Sequence, residues 1–109
     1  MANPWAGEVT VTLNGQAHVA RLTLGALAEL EAAMDTGSLV DLVERFEQGR
    51  FTTRDVMGLI VAGLHGGGWR GTAEDLRTAD IGGGLGGAAR MAAELLARAF
   101  APPNAEDRA

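Results

Sequence analysis

The chain has no cysteine among its 109 residues, and neither lysine nor tyrosine. Without cysteine there is neither a disulfide framework nor a thiolate metal site. Every basic residue is an arginine, which we read as the coding bias of a GC-rich genome rather than as chemistry. Aromatic residues make up only 5%: Trp5, Phe46, Phe51, Trp69 and Phe100. Positive charge is also scarce, and the formal net charge is -5 with a pI of about 4.9. Affinity for nucleic acid comes largely from basic side chains that displace counterions, so an acidic surface with scattered arginines argues against that partner. No apolar run approaches the ~20 residues of a membrane span. The opening "MANPWAGEV" lacks the basic and apolar regions of a signal peptide. These absences point to a soluble, cytoplasmic protein.

What is present reads as one strand pair followed by helices. In "EVTVTLNGQAHVARL", Val9, Val11 and Leu13 alternate with Glu8, Thr10 and Thr12, the period of a half-buried strand. Asn14-Gly15 then gives a strong hairpin-turn signal, since both residues tolerate positive φ. A two-residue turn sets Val11 opposite His18. A three-residue loop with a bulge pairs Val9 with Val19 instead, and the sequence leaves the register open. A lone hairpin is marginal in water and must pack on something else.

The helical signals follow in order. Thr23 caps "LGALAELEAAM", whose stripe is Leu24, Leu27, Leu30 and Met34, with Gly37 as the stop. Ser38 caps "LVDLVERFEQG", the cleanest amphipathic segment, with Leu39, Leu42, Val43 and Phe46 on one face and Gly49 at its end. Thr52 or Thr53 caps "RDVMGLIVAGLH", with Asp55 near the positive end of the helix dipole. This segment is apolar nearly all round, which places it at the centre of the core. Its Gly58 and Gly63 allow a neighbouring helix to come close. "TAEDLRTADI" reads as a short helix capped by Thr72. "AARMAAELLARAF" reads as a long one, with Met91, Leu95 and Ala99 on one face and Arg90, Glu94 and Arg98 spaced for ion pairs. The expected fold is α+β, mainly α: an N-terminal β-hairpin followed by a bundle of four to five short helices. Residues 1–100 form a single domain, and "APPNAEDRA", 101–109, forms a disordered tail.

Two glycine runs fit G-x-G-x-x-G. They are Gly66, Gly68 and Gly71 in "LHGGGWRG", and Gly82, Gly84 and Gly87 in "IGGGLGG". That fingerprint needs a parallel strand before it and a βαβ unit around it. Both runs follow helical segments, and the one strand region is an antiparallel hairpin. A P-loop fails as well, because no lysine is available to reach a phosphate. The runs therefore read as helix stops that continue as flexible hinges.

No catalytic set converges. His18 and His65 lack any pattern of metal ligands. His65 sits where it favours the helix dipole, and Ser38, the only serine, is a cap. An enzyme, a cofactor and a bound metal are not expected. Trp69 has two readings: it folds back over the end of the preceding helix, or it is an aromatic anchor for a partner. Trp5 also has two readings: an anchor for a partner or a staple on the hairpin.

The order of segments resembles the small tail-assembly proteins of gene transfer agents and related prophages. The resemblance covers residues 7–100. It is carried by the hairpin with its N-G turn, by "LGALAELE", by "LVERFEQGRF", by "VAGLHGGG" and by "MAAELLARAF". The second glycine run is richer than the family pattern, which leaves the helix boundaries near 81–87 open. The resemblance implies a tail assembly chaperone that binds the tape-measure protein and helps recruit tail-tube subunits, with self-association left open. Trp69, Met57, Leu64 and Leu85 are the expected partner-binding residues, in a helix-in-groove mode. The alternative is a structural component retained in the particle, a tail-tube or tail-completion protein. Tube proteins are rich in strands, and the helical content here argues against that option.

Overall fold

The computed structural model describes residues 7–34 and 37–100. Trp5 and the tail 101–109 lie outside the described residues. The fold is α+β and mainly α. An antiparallel hairpin, β1 (Val9–Leu13) and β2 (Gln16–Ala20), leads into five helices. These are α1 (Leu24–Ala33), α2 (Leu39–Glu47), α3 (Thr53–Gly66), α4 (Ala73–Arg77) and α5 (Gly84–Ala99).

The turn decides the hairpin register. Asn14 and Gly15 both take positive φ, 51° and 82°, as a two-residue type I′ turn requires. Val11 therefore pairs with His18 and Val9 with Ala20, and there is no bulge. Val9, Val11, Leu13 and Ala20 are buried on the inner face. One feature had no sequence signal. Residues 80–82 lie along the outer edge of β1 and add a bridge between Leu13 and Ile81. Asn14 N–H donates to the Asp80 carbonyl, and Gly82 N–H donates to that of Thr12. The Asn14 side chain accepts from Asp80 N–H in return. The turn residue thus also ties the α4–α5 connector to the sheet.

Helix starts follow the caps. Ser38, Thr52 and Thr72 each make a capping box with an aspartate three residues on, Asp41, Asp55 and Asp75. Thr23 caps α1 by accepting from Ala26 N–H. Helix α2 closes on Gly49, at φ 70°. Arg50 N–H reaches back to the Arg45 carbonyl and Gly49 N–H to that of Phe46, the Schellman pattern.

Helix α3 is central, as its all-round apolarity predicts. It packs against α1, α4, α5 and β2. Val56, Leu59, Ile60, Val61, Ala62, Gly63 and Leu64 are all buried. Gly63 is the close-approach glycine: a Cβ there would stand 2.8 Å from Cδ1 of Leu95 on α5. Gly58 has no such role, since its nearest neighbour would be Leu30 Cδ1 at 3.5 Å, an ordinary contact.

Four details differ from the sequence reading. Helix α1 buries Ala26 and Leu30, while Leu24 is 86% exposed. At 100° per residue, Ala26, Leu27 and Leu30 set the buried arc and Leu24 falls outside it. The same helix stops at Ala33, with Met34 already extended, before Gly37 is reached. Helix α4 is shorter than "TAEDLRTADI" suggested. Helix α5 begins inside the second glycine run, with Gly83 at φ 85° as its N-cap.

The first glycine run is not a free hinge. Helix α3 continues through Gly66, and a Cβ at Gly66 or Gly67 would collide with the β2-side carbonyl oxygens of Arg21 and Val19. These glycines let the end of the helix lie directly on the strand backbone. Arg21 N–H donates to the Gly63 carbonyl at 2.8 Å, which fixes that contact.

Candidate functional site

Two surface features stand out, at opposite ends of α3. The first is a cavity of about 220 Å³ beside the N-terminal half of the helix. Val56, Met57 and Ile60 form one wall, and Leu76, Ile81 and Leu85 close it from α4, its connector and α5. Arg77 stands at the same cavity. It is the one charged side chain in the lining, and it pairs with Glu74 at 3.6 Å. The lining is otherwise apolar apart from Thr53. Leu85, in the first turn of α5, is 64% exposed.

The second feature is the Trp69 loop beyond the C-terminal end of α3. Trp69 N–H donates to the Leu64 carbonyl at 2.9 Å, so the chain turns back on the helix. The indole is half-buried against the core and stacks on His65, with centroids 5.8 Å apart. It also covers Gly71 so closely that a Cβ there would collide with the ring. His65 holds this arrangement from the helix side. Its Nε2 lies 2.6 Å from the Gly71 carbonyl oxygen and its Nδ1 lies 2.7 Å from Glu29 Oε2 on α1. The Gly71 carbonyl raises the His65 pKa above the usual imidazole value, against partial burial, and the Glu29 carboxylate adds to the rise.

The four residues singled out for partner contact are thus divided. Met57 and Leu85 meet at the cavity. Trp69 belongs to the other end of α3 and folds back over the helix terminus. Leu64 is wholly buried and serves the core. The His65–Glu29 contact was not anticipated. The residues are 36 apart in sequence, and no local pattern pairs them. Val40 on α2 is 62% exposed, outside the apolar stripe of its helix.

Among the described residues, no group of three or more histidine or acidic side chains is placed to hold a metal ion. No helix in the described residues is long and apolar enough to cross a membrane.

Residues 6–102 match the family described as "Phage tail tube protein, GTA-gp10". The match spans nearly the whole chain, hairpin and five helices together, and identifies a phage-type tail protein. The chain belongs to the GTA-gp10 tail tube protein family. The family description names the tail tube rather than an assembly chaperone, so it favours the structural alternative over the chaperone role suggested by the sequence resemblance. No curated protein and no solved structure matches the chain.

Proposed function

We propose that the protein is a non-catalytic structural component of a phage-like tail, assembled at the tail tube and retained in the particle. The reading rests on membership of a tail tube protein family over residues 6–102. One domain, residues 1–100, carries the role and needs no cofactor. It acts through protein contacts, with tail-tube subunits and with copies of itself. The net charge of -5 supports this use, because like-charged subunits stay apart until specific contacts form. On this reading the protein is made in the host cytoplasm and ends in the particle.

A second reading is favoured by one observation. The described sheet is a two-stranded hairpin extended by a single bridge, which is little strand from which to build a tube wall. An assembly chaperone that binds the tape-measure protein and leaves before maturation needs no wall-forming sheet. The apolar cavity at Met57 and Leu85 suits a helix side chain of such a partner.

Quantitative mass spectrometry of purified mature particles separates the two. A retained component appears at a fixed ratio to the major tail protein. Its absence from particles, together with co-purification with the tape-measure protein from lysates, overturns the structural reading in favour of the chaperone. Absence from particles without such a complex removes both.

A further inference from the structure

Both ring nitrogens of His65 face acceptors. Glu29 presents a carboxylate oxygen to Nδ1 and Gly71 presents a carbonyl oxygen to Nε2. A neutral imidazole has one N–H, so it can donate to only one of them. Only the imidazolium satisfies both. The two acceptors belong to different parts of the fold, α1 and the α3–α4 connector, and the ring between them supports the Trp69 indole.

We propose that His65 is a proton-operated latch that, when doubly protonated, ties the Trp69 loop to α1 and α3, and that releases the loop when it loses a proton. The loop is built to depend on it. Gly68, at φ 103°, sits in a conformation open to glycine, and nothing lies within 4 Å of the position of a Cβ there. Trp69 N–H to Leu64 and the His65 contact to Gly71 are the two ties on either side of Arg70. Loss of the second leaves the stretch 70–72 held by the Trp69 ring over Gly71 and by the capping box of α4.

The charged groups near the latch are few. Glu29 comes from α1 and is the one charged side chain whose field acts on the ring. Arg70 lies in the loop itself and Arg21 follows β2, and neither contributes to the shift of His65. His65 is held above its ordinary value of 6.5. The latch is therefore closed at and below that pH. It opens as pH rises through the raised value: the neutral ring keeps its one N–H for the Glu29 carboxylate, the stronger acceptor, and the stability of the Gly71 contact is lost.

The test uses the full chain and two NMR readouts. The first is the ring nitrogen shifts of His65 and His18 against pH. The second is amide exchange of residues 68–72, corrected for base catalysis. His65 should titrate above 6.5 with both nitrogens protonated on the acid side. Loop exchange should rise about tenfold through the same midpoint, the effect of losing one hydrogen bond of roughly 1.4 kcal/mol. Glu29→Gln, at an exposed position, should lower the midpoint and keep the fold. His65→Gln should make the corrected loop exchange independent of pH. A singly protonated ring at pH 6, or loop exchange in the parent protein that does not follow the His65 midpoint, overturns the proposal.

Discussion

Arg45 of α2 grips Asp55 of α3 with two hydrogen bonds, Nε to Oδ2 at 3.1 Å and Nη2 to Oδ1 at 2.9 Å. The same carboxylate accepts from Thr52 N–H at 2.9 Å and so completes the capping box of α3. One aspartate thus starts the central helix and attaches α2 to it. Stacked Phe46 and Phe51 rings, 4.5 Å apart, span the same junction.

This double role makes Asp55 sensitive to acid. Partial burial pushes its carboxyl upward, but the Arg45 fork and the Thr52 N–H outweigh that and leave it below its ordinary value of 3.8. A depressed carboxyl contributes stability that is present above 3.8 and is lost as pH falls through the folded value. Asp55→Ala should cost about 2 kcal/mol at pH 7, about half from the cap and half from the partly screened pair. The cost should shrink as pH falls below 3.8 and through the lower folded value. Urea denaturation of parent and variant at pH 7 and pH 2.5 checks both statements, and an equal cost at the two pH values refutes the assignment.

Two glycines, Gly67 at the C-cap of α3 and Gly58 inside it, should respond oppositely to the same change. Gly67→Ala places a Cβ against the Val19 carbonyl, which is backbone and cannot step aside. A loss of about 2 kcal/mol or more is expected, as for other overpacked sites. Gly58→Ala meets only Leu30 at 3.5 Å and lies inside a helix. It should gain about 0.5–1 kcal/mol from helix propensity. Thermal melts of the two variants decide this, and a stable Gly67→Ala protein means that α3 does not rest on β2 as described.

Trp69→Ala should lower stability by about 2 kcal/mol, less than for a fully buried tryptophan because the ring is only half-buried. The loss should be larger than that of Leu24→Ala, since Leu24 is 86% exposed. Chemical denaturation of both variants gives the comparison. Equal, negligible losses would mean that the indole does not brace the end of α3 and serves partner contact alone.

The parts of the fold readable from sequence are those set by local rules. The Asn14-Gly15 turn, the caps at Thr23, Ser38, Thr52 and Thr72, and the all-round apolarity of α3 each act over a few residues. What sequence did not reveal depends on distant contacts. The bridge of Ile81 to Leu13 and the grip of His65 on Glu29 join segments far apart in the chain. Gly66 and Gly67 looked like hinges because a glycine needed for close approach reads the same as one needed for freedom. The stripe of α1 was right at Leu27, Leu30 and Met34 but wrong at Leu24, because Ala26 takes the core-facing place in the first turn and the leucines alone did not mark the buried arc. The site was half legible for the same reason. Met57 and Leu85 do share a cavity, but an apolar residue of α3 such as Leu64 gives no local sign of which side the core lies on.

Leu85 is the residue at which contact with a partner is separable from folding. It is 64% exposed at the rim of the Met57 cavity, so Leu85→Ser removes little buried surface. Its stability, read from a thermal melt, should change by no more than an ordinary surface substitution does, about 0.5 kcal/mol. Leu64→Ala, by contrast, empties a fully buried site and should cost about 2–5 kcal/mol, so a functional defect there says nothing about binding. If the cavity receives a tail partner, Leu85→Ser should cut incorporation into particles, or recovery with the tape-measure protein, by about tenfold, the effect of an apolar contact of roughly 1.4 kcal/mol. Immunoblots of particles and lysates from cells expressing each variant at equal levels measure this. Full function of Leu85→Ser, paired with Met57→Ser to deepen the lesion, places the working surface elsewhere on the protein.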